Sequence, residues 1–239
     1  MRRKKNPIKD KISDVPAEML QDTQSRPHGN VSQWKPNQRE IFWVVGTMLV
    51  IIGALILVPL MIRELMVFEY KGLTFTREKF GEIPVYHYSY YFTDAIGQQY
   101  QYNLYLRNDP RENTIPIDND IQFNERRGVY LTLNSTALAQ CHTSLRDIAT
   151  LAQFLRDNLI KVEAGNIEQE IAAENNLTHI NCSTHPNNAV IAIVPDKETK
   201  ITQAGTCHTI SYASCEDVLP AFEKFIVEAI LDAKAYASA

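Results

Sequence analysis

Glycine is scarce in this chain, nine among 239 residues, and none is grouped as Gly-x-Gly-x-x-Gly or Gly-x-x-x-x-Gly-Lys. That removes the backbone cradles that hold dinucleotides and nucleotide phosphates. No Gly-x-Ser-x-Gly occurs either, so the nucleophile elbow of an α/β-hydrolase is missing. Cysteine is equally sparse: Cys141, Cys182, Cys207 and Cys215 are the whole complement, and none is spaced Cys-x-x-Cys. Thiol exchange and close-paired zinc ligands therefore have no motif here. A basic excess is lacking too, with 24 Lys and Arg against 28 Asp and Glu. Charge of either sign is absent from residues 41–62.

That uncharged run, IFWVVGTMLVIIGALILVPLMI, spans roughly the 30 Å hydrocarbon core as a helix rising about 1.5 Å per residue. Charges stop it at both ends, Arg39-Glu40 before and Arg63-Glu64 after, and Trp43 sits where an interfacial aromatic is favoured. A buried helix of a soluble protein would show a polar stripe, and a signal peptide would have a shorter apolar region nearer the N-terminus. We expect a transmembrane helix over 41–62. Nine basic residues and five acids precede it, while 15 basic and 23 acidic residues follow. Positive charge is retained in the cytoplasm, so residues 1–40 are expected inside, as a disordered polar tail, and the C-terminal portion outside. Arg63, Lys71, Arg77 and Lys79 weigh against that orientation. The RRKK run near the N-terminus reads as a topology signal rather than a nucleic-acid or lipid site. An outer region of net charge −8 lacks the basic patch that nucleic acid needs.

All four cysteines follow the span, and an even count on the oxidising side reads as two disulfides. The segment HINCSTH (179–185) condenses three readings. His179, Cys182 and His185 can be metal ligands, with Cys207 or His208 as a fourth; Cys182 can be half of a disulfide; or Asn181 can accept a glycan. Isolated cysteines make zinc the weaker reading. If 207–213 is a strand rising about 3.3 Å per residue, Cys207 and Cys215 are too far apart to pair with each other. Two connectivities survive, Cys182–Cys207 with Cys141–Cys215, or Cys141–Cys207 with Cys182–Cys215. The first is favoured because Cys141 and Cys215 each sit just before a helix start. Outer sequons begin at Asn134, Asn176 and Asn181. A bridge at Cys182 would compete with a glycan at Asn181, so Asn134 and Asn176 are the expected acceptors. A further sequon at Asn30 lies on the inner side and should stay bare.

A short membrane-proximal stalk is followed by a strand and turn over 72–81. The stretches VYHYSYYF (85–92) and QYQYNLYL (99–106) alternate, with Tyr86, Tyr88, Tyr90 and Phe92, then Tyr100, Tyr102, Leu104 and Leu106, on one face. Period two marks half-buried strands, and 93–98 closes a hairpin. Tyr86, Tyr88 and Tyr90 form a possible binding face, although such rows are more often the inner side of a sheet. The polar stretch 107–118 reads as a solvated loop; Arg107, Asp109 and Arg111 are its alternative as an anion pocket. His87 is expected on the exposed side of the hairpin, and His142 and His208 at the surface. A strand is read at 128–134 and a helix from Ser144, with Asp147 completing a capping box and Leu145, Ile148, Leu151, Ala152, Leu155 and Leu159 on its buried face. A short helix follows at 167–175, then three strands at 189–194, 198–203 and 207–213. The last helix carries Val218, Leu219, Phe222, Phe225, Ile226, Ala229 and Ile230 at helical spacing.

The stretches YNLYLRNDPREN (102–113) and AVIAIVPDKETKITQAGTCHTISYASCEDV (189–218), behind one N-terminal span, resemble uncharacterised single-pass membrane proteins of small-genome archaea with a disulfide-containing outer domain. The resemblance implies an archaeal surface protein and transfers no functional residue.

The expected fold is α+β: a cytoplasmic tail (1–40), a transmembrane helix (41–62), a membrane-proximal hairpin subdomain (63–126) and a disulfide-stapled α/β subdomain (127–239). The expected function is a membrane-anchored extracytoplasmic structural or interaction domain of a cell-surface assembly, without enzymatic activity, cofactor or metal. Its expected partners are the lipid bilayer and surface proteins, not nucleic acid. One alternative is a glycan or small-molecule receptor using the tyrosine face. The other is a metal-dependent enzyme centred on His179, Cys182, His185 and His208.

Overall fold

The computed structural model describes residues 38–94, 96–121, 123, 128–142, 144–158 and 160–238. The tail as far as residue 37, the Asn30 sequon and Leu159 lie outside the described residues. The described residues divide into two units, one up to Ile52 and one from Gly53 onward. Helix α1 (Gln38–Met66) contains the run Ile41–Ile62, long and apolar enough to cross a membrane and with none of it buried. Thr47 donates its hydroxyl to the carbonyls of Trp43 and Val44 at 3.0 and 2.9 Å, so the run's one side-chain hydroxyl is satisfied within the helix.

The expected stalk is a strand: α1 passes directly into β1 (Val67–Tyr70). Lys71 and Gly72 then take φ of 49° and 81°, the left-handed pair that a two-residue hairpin demands. Strands β2 (Leu73–Phe80), β3 (Ile83–Thr93) and β4 (Gln99–Leu106) complete a sheet in the order β1-β2-β3-β4, every neighbour antiparallel. Alternation puts Leu73, Phe75, Tyr86, Leu104 and Leu106 into the core. His87 and Tyr105 stack on the opposite face.

The second half begins with β5 (Val129–Leu133), one turn of helix α2 (Ser135–Leu138) and α3 (Ser144–Asp157). Strand β6 (Val162–Asn166), α4 (Gln169–Glu174) and β7 (Thr178–His179) follow. Strands β8 (Ala189–Pro195), β9 (Lys200–Ala204) and β10 (Cys207–Tyr212) lead to α5 (Val218–Ser238). These strands form a mixed sheet in the order β7-β6-β5-β8-β10-β9, parallel except for the edge strand β9. Covered on both faces, the central strand β8 is buried at every position from Ala189 to Ile193. That is why AVIAIV reads as an unbroken apolar run instead of alternating. The scarce glycine has a use at Gly165 in β6, where an added Cβ would lie 2.5 Å from the Ile180 side chain.

Helices α3 and α5 lie between the two sheets. Tyr102 of β4 meets Phe154 of α3 edge-on at 5.8 Å, while Phe225 of α5 packs on His208 of β10 at 5.8 Å. Leu73, Phe75 and Leu106 therefore share one core with Ile191, Ile210 and Phe222, although they come from opposite halves of the chain. The fold is α+β with one antiparallel and one mixed sheet. Replacing Phe225, fully buried, by Ala should cost about 3–5 kcal/mol. Phe80→Ala, at an exposed site, should stay within about 0.5 kcal/mol. Chemical denaturation of the detergent-solubilised full chain measures both.

Candidate functional site

The HINCSTH segment forms a cover over the face of the mixed sheet that the helices leave open. Ile180 is buried beneath it with Val190 and Cys207. It is tied down by Thr132, whose hydroxyl donates to the Ile180 carbonyl at 2.7 Å. Asn181 Oδ1 accepts from the Ser183 amide, the Ser183 hydroxyl and the Thr184 amide at 3.0, 2.6 and 2.8 Å, which folds the next residues into a tight turn. Cys182 and Cys207 pair with Cα atoms 5.6 Å apart, and Cys141 and Cys215 at 5.3 Å. The second bridge joins the starts of α3 and α5. His185 packs on Tyr130 with ring centres 4.8 Å apart. His208, expected at the surface, is fully buried between Phe123 and Phe225. Adjacent strand positions face opposite ways, so a residue beside the covered Cys207 must point to the helices. The four residues weighed as metal ligands thus divide between two faces of the sheet. Among the described residues, no group of three or more His, Cys, Asp or Glu is placed to hold a metal ion.

Tyr86, Tyr88 and Tyr90 face α3 and α5. Tyr86 is 8 % exposed, and the other two are half-buried. Tyr88 stacks on Tyr90 at 5.7 Å, Tyr90 meets Tyr102 at 5.5 Å, and the Tyr90 hydroxyl donates to Asn158 Oδ1 at 2.5 Å. Burial pushes the Tyr90 phenol well above its ordinary range and that of Tyr102 up to about 12. The rings wall the core rather than offer a platform. The aromatic surface that solvent reaches is the other face, where Tyr91 and Tyr105 are exposed. There His87 stacks on Tyr105 at 4.6 Å between Glu78 and Asn103, at 3.0 and 3.2 Å. These residues stand at the alternate positions of the same two strands, so the period that marks the buried row marks them as well.

The stretch 107–118, expected to be a solvated loop, is anchored at both ends. Asp109 is buried and accepts from the Arg111 amide, Nε and Nη2 at 2.9, 3.0 and 2.6 Å, while the guanidinium lies 3.8 Å above the Phe68 ring. The Arg111 hydrogen bond holds the Asp109 carboxyl below the usual carboxylate range. Arg111 is thereby engaged internally rather than facing an anion pocket. Downstream, the amides of Asp118 and Ile201 bond across to Ile201 and Pro116 at 2.9 Å each, docking the segment on β9.

Sequence reasoning missed the buried charges of α5. Glu223 accepts from the Arg107 amide, the Asn108 amide and Asn108 Nδ2 at 2.5, 3.1 and 2.7 Å. Burial raises its pKa, and those donors only partly offset it. Glu228 accepts from Lys71 at 2.7 Å and pairs with Lys224 at 3.0 Å. Burial opposes its ionisation, but the two ammonium groups outweigh that and leave its pKa lowered. The adjoining cavity, about 10 Å³ and lined by Tyr70, Leu106, Asn108, Glu223, Lys224 and Val227, has room for no more than about one water molecule. A helical i, i+4 Lys-Glu pair reads as a solvated face, and nothing local distinguishes this one.

Comparison with known protein families, curated proteins and solved structures finds no match to this chain.

A lowered carboxyl pKa adds stability that is present above the unfolded value of about 4.3 and is lost as pH falls through the folded value. Glu228→Gln should therefore be less stable than the parent at about pH 6, and the gap should close towards about pH 3. Thermal melts of the full chain across that range test it; a gap of constant size would show that Glu228 titrates normally.

Proposed function

We propose that the chain is a membrane-anchored domain displayed on the extracytoplasmic side, where it serves as a structural or interaction component of a surface assembly. One observation carries this reading. The unburied apolar helix Ile41–Ile62 leads, through the end of α1 and no further linker, into a chain whose four cysteines all pair within disulfide distance. Such pairs persist where the surroundings are oxidising, and the basic tail favours the inner side for the N-terminus. An archaeal cell surface suits the same reading. Of the expected glycan acceptors, Asn176 is exposed just after α4. Asn134 is half-buried, and its Oδ1 accepts the Ala137 amide at 2.8 Å to cap α2. Asn176 is thus the better acceptor in this reading.

A second reading, recognition of a flat ring such as a sugar, moves from Tyr86, Tyr88 and Tyr90 to the exposed Tyr91, Tyr105 and His87.

The display reading is tested in sealed right-side-out vesicles from the native membrane. External protease should remove the C-terminal domain and spare the tail, and membrane-impermeant alkylation should reach the cysteines only after reduction. The domain should also co-purify with protein partners in mild detergent. Cysteines alkylated without reductant, a protected C-terminal domain, or a chain that is alone at every detergent strength would count against it.

A further inference from the structure

The membrane helix and a bare hairpin tip leave the first sheet from the same end. Val67, the first residue after α1, stands opposite Thr76 of β2. From that level β2 continues through Phe80, turns at Gly81 and Glu82, and returns in β3 from Ile83 to pair Tyr86 with Arg77. Neither outer strand follows: β1 begins opposite Thr76, and β4 ends at Leu106 opposite Tyr86. The result is a two-stranded ribbon in which every residue from Arg77 to Pro84 is exposed. Phe80 and Ile83 are register partners, 81 % and 50 % exposed. They lie on the same side of the ribbon as Glu78, while Arg77 and Lys79 lie on the other.

The lengths decide what such a tip can reach. Residues 63–66, between the apolar run and β1, add about 6 Å of helix. Residues 77–80 carry the ribbon about 13 Å past the same level. The headgroup layer on one side of a bilayer is only about 5–8 Å thick. A tip that runs back towards the bilayer therefore meets the boundary between headgroups and acyl chains, where an aromatic and an aliphatic side chain are both favoured. Within the membrane reading proposed above, on which this rests, we infer that the β2–β3 tip is a second membrane contact, with Phe80 and Ile83 entering the interface of the same leaflet that α1 leaves. Arg77 and Lys79 are balanced by Glu78 and Glu82, so the apolar pair drives insertion and anionic lipid is not required. The contact limits the tilt of the domain above the bilayer and gives an exposed Phe and Ile their cover.

The test uses the full chain in phosphatidylcholine vesicles, with and without lipids brominated along the acyl chain. In a background of Trp34→Phe and Trp43→Phe, a single tryptophan is introduced as Phe80→Trp, as Ile83→Trp, or as Ile96→Trp. Ile96 is 86 % exposed in the turn at the far end of β3, about 33 Å from the tip. Phe80→Trp and Ile83→Trp should emit further to the blue than Ile96→Trp and be quenched several-fold more by the brominated lipid. Chain that floats with the vesicles while all three variants are quenched equally weakly overturns the tip contact and leaves the anchor standing. Chain that fails to float overturns both.

Discussion

Helix α5 has no face left for water from Ala221 to Ile230, yet that stretch contains Glu223, Lys224 and Glu228. Burying an ion costs several kcal/mol unless it is paired or hydrogen-bonded, and the first sheet supplies the partners. The chain leaving β4 presents two amides and the Asn108 side chain to Glu223, and the β1–β2 turn presents Lys71 to Glu228. The sheet that follows α1 is therefore bound to α5 by specific polar contacts as well as by the apolar faces of Leu73, Phe75 and Leu106. Misplacing that sheet would leave charges buried without partners, so these contacts select one arrangement of the layers.

The disulfides act on parts of the fold that packing reaches less well. One closes a loop of sequence separation 74 and holds the starts of α3 and α5 together. The other closes a separation of 25 and fastens the 179–185 cover to β10. That cover lies over a small apolar cluster of Ile180, Val190 and Cys207. Closing such loops in the unfolded chain contributes on the order of 2–4 kcal/mol each. The same segment whose sequence suggests histidine and cysteine ligands thereby covers the second face of the mixed sheet.

Much of the architecture is legible in short stretches. The charge-free run of 22 residues carries its own length argument, and the alternating tyrosines mark β3 and β4 by period alone. The reach of a strand excludes a Cys207–Cys215 bridge, and helix starts next to Cys141 and Cys215 favour the pairing that the structure has. Strand β1 was hidden because four residues after a long apolar helix carry too little pattern to stand apart from a stalk. Strand β6, VEAGN, alternates poorly because its stability comes from β5 and from Ile180 packed over Gly165. A capping box joins Ser214 to Asp217 ahead of α5.

What the sequence by itself determined is periodicity, length and the reach of covalent geometry: one apolar helix, strands with a buried and an exposed row, helices of known extent, and cysteines that can pair in two ways. Only the tertiary structure decided which row is wet, that β8 runs beside β10 with β9 displaced to the edge, and that His208, Asp109 and Glu223 are inside. The physical reason is range. A repeat of two or 3.6 residues is written into neighbouring residues, whereas burial of a charge depends on donors that Arg107 and Asn108 bring to Glu223 from more than a hundred residues away.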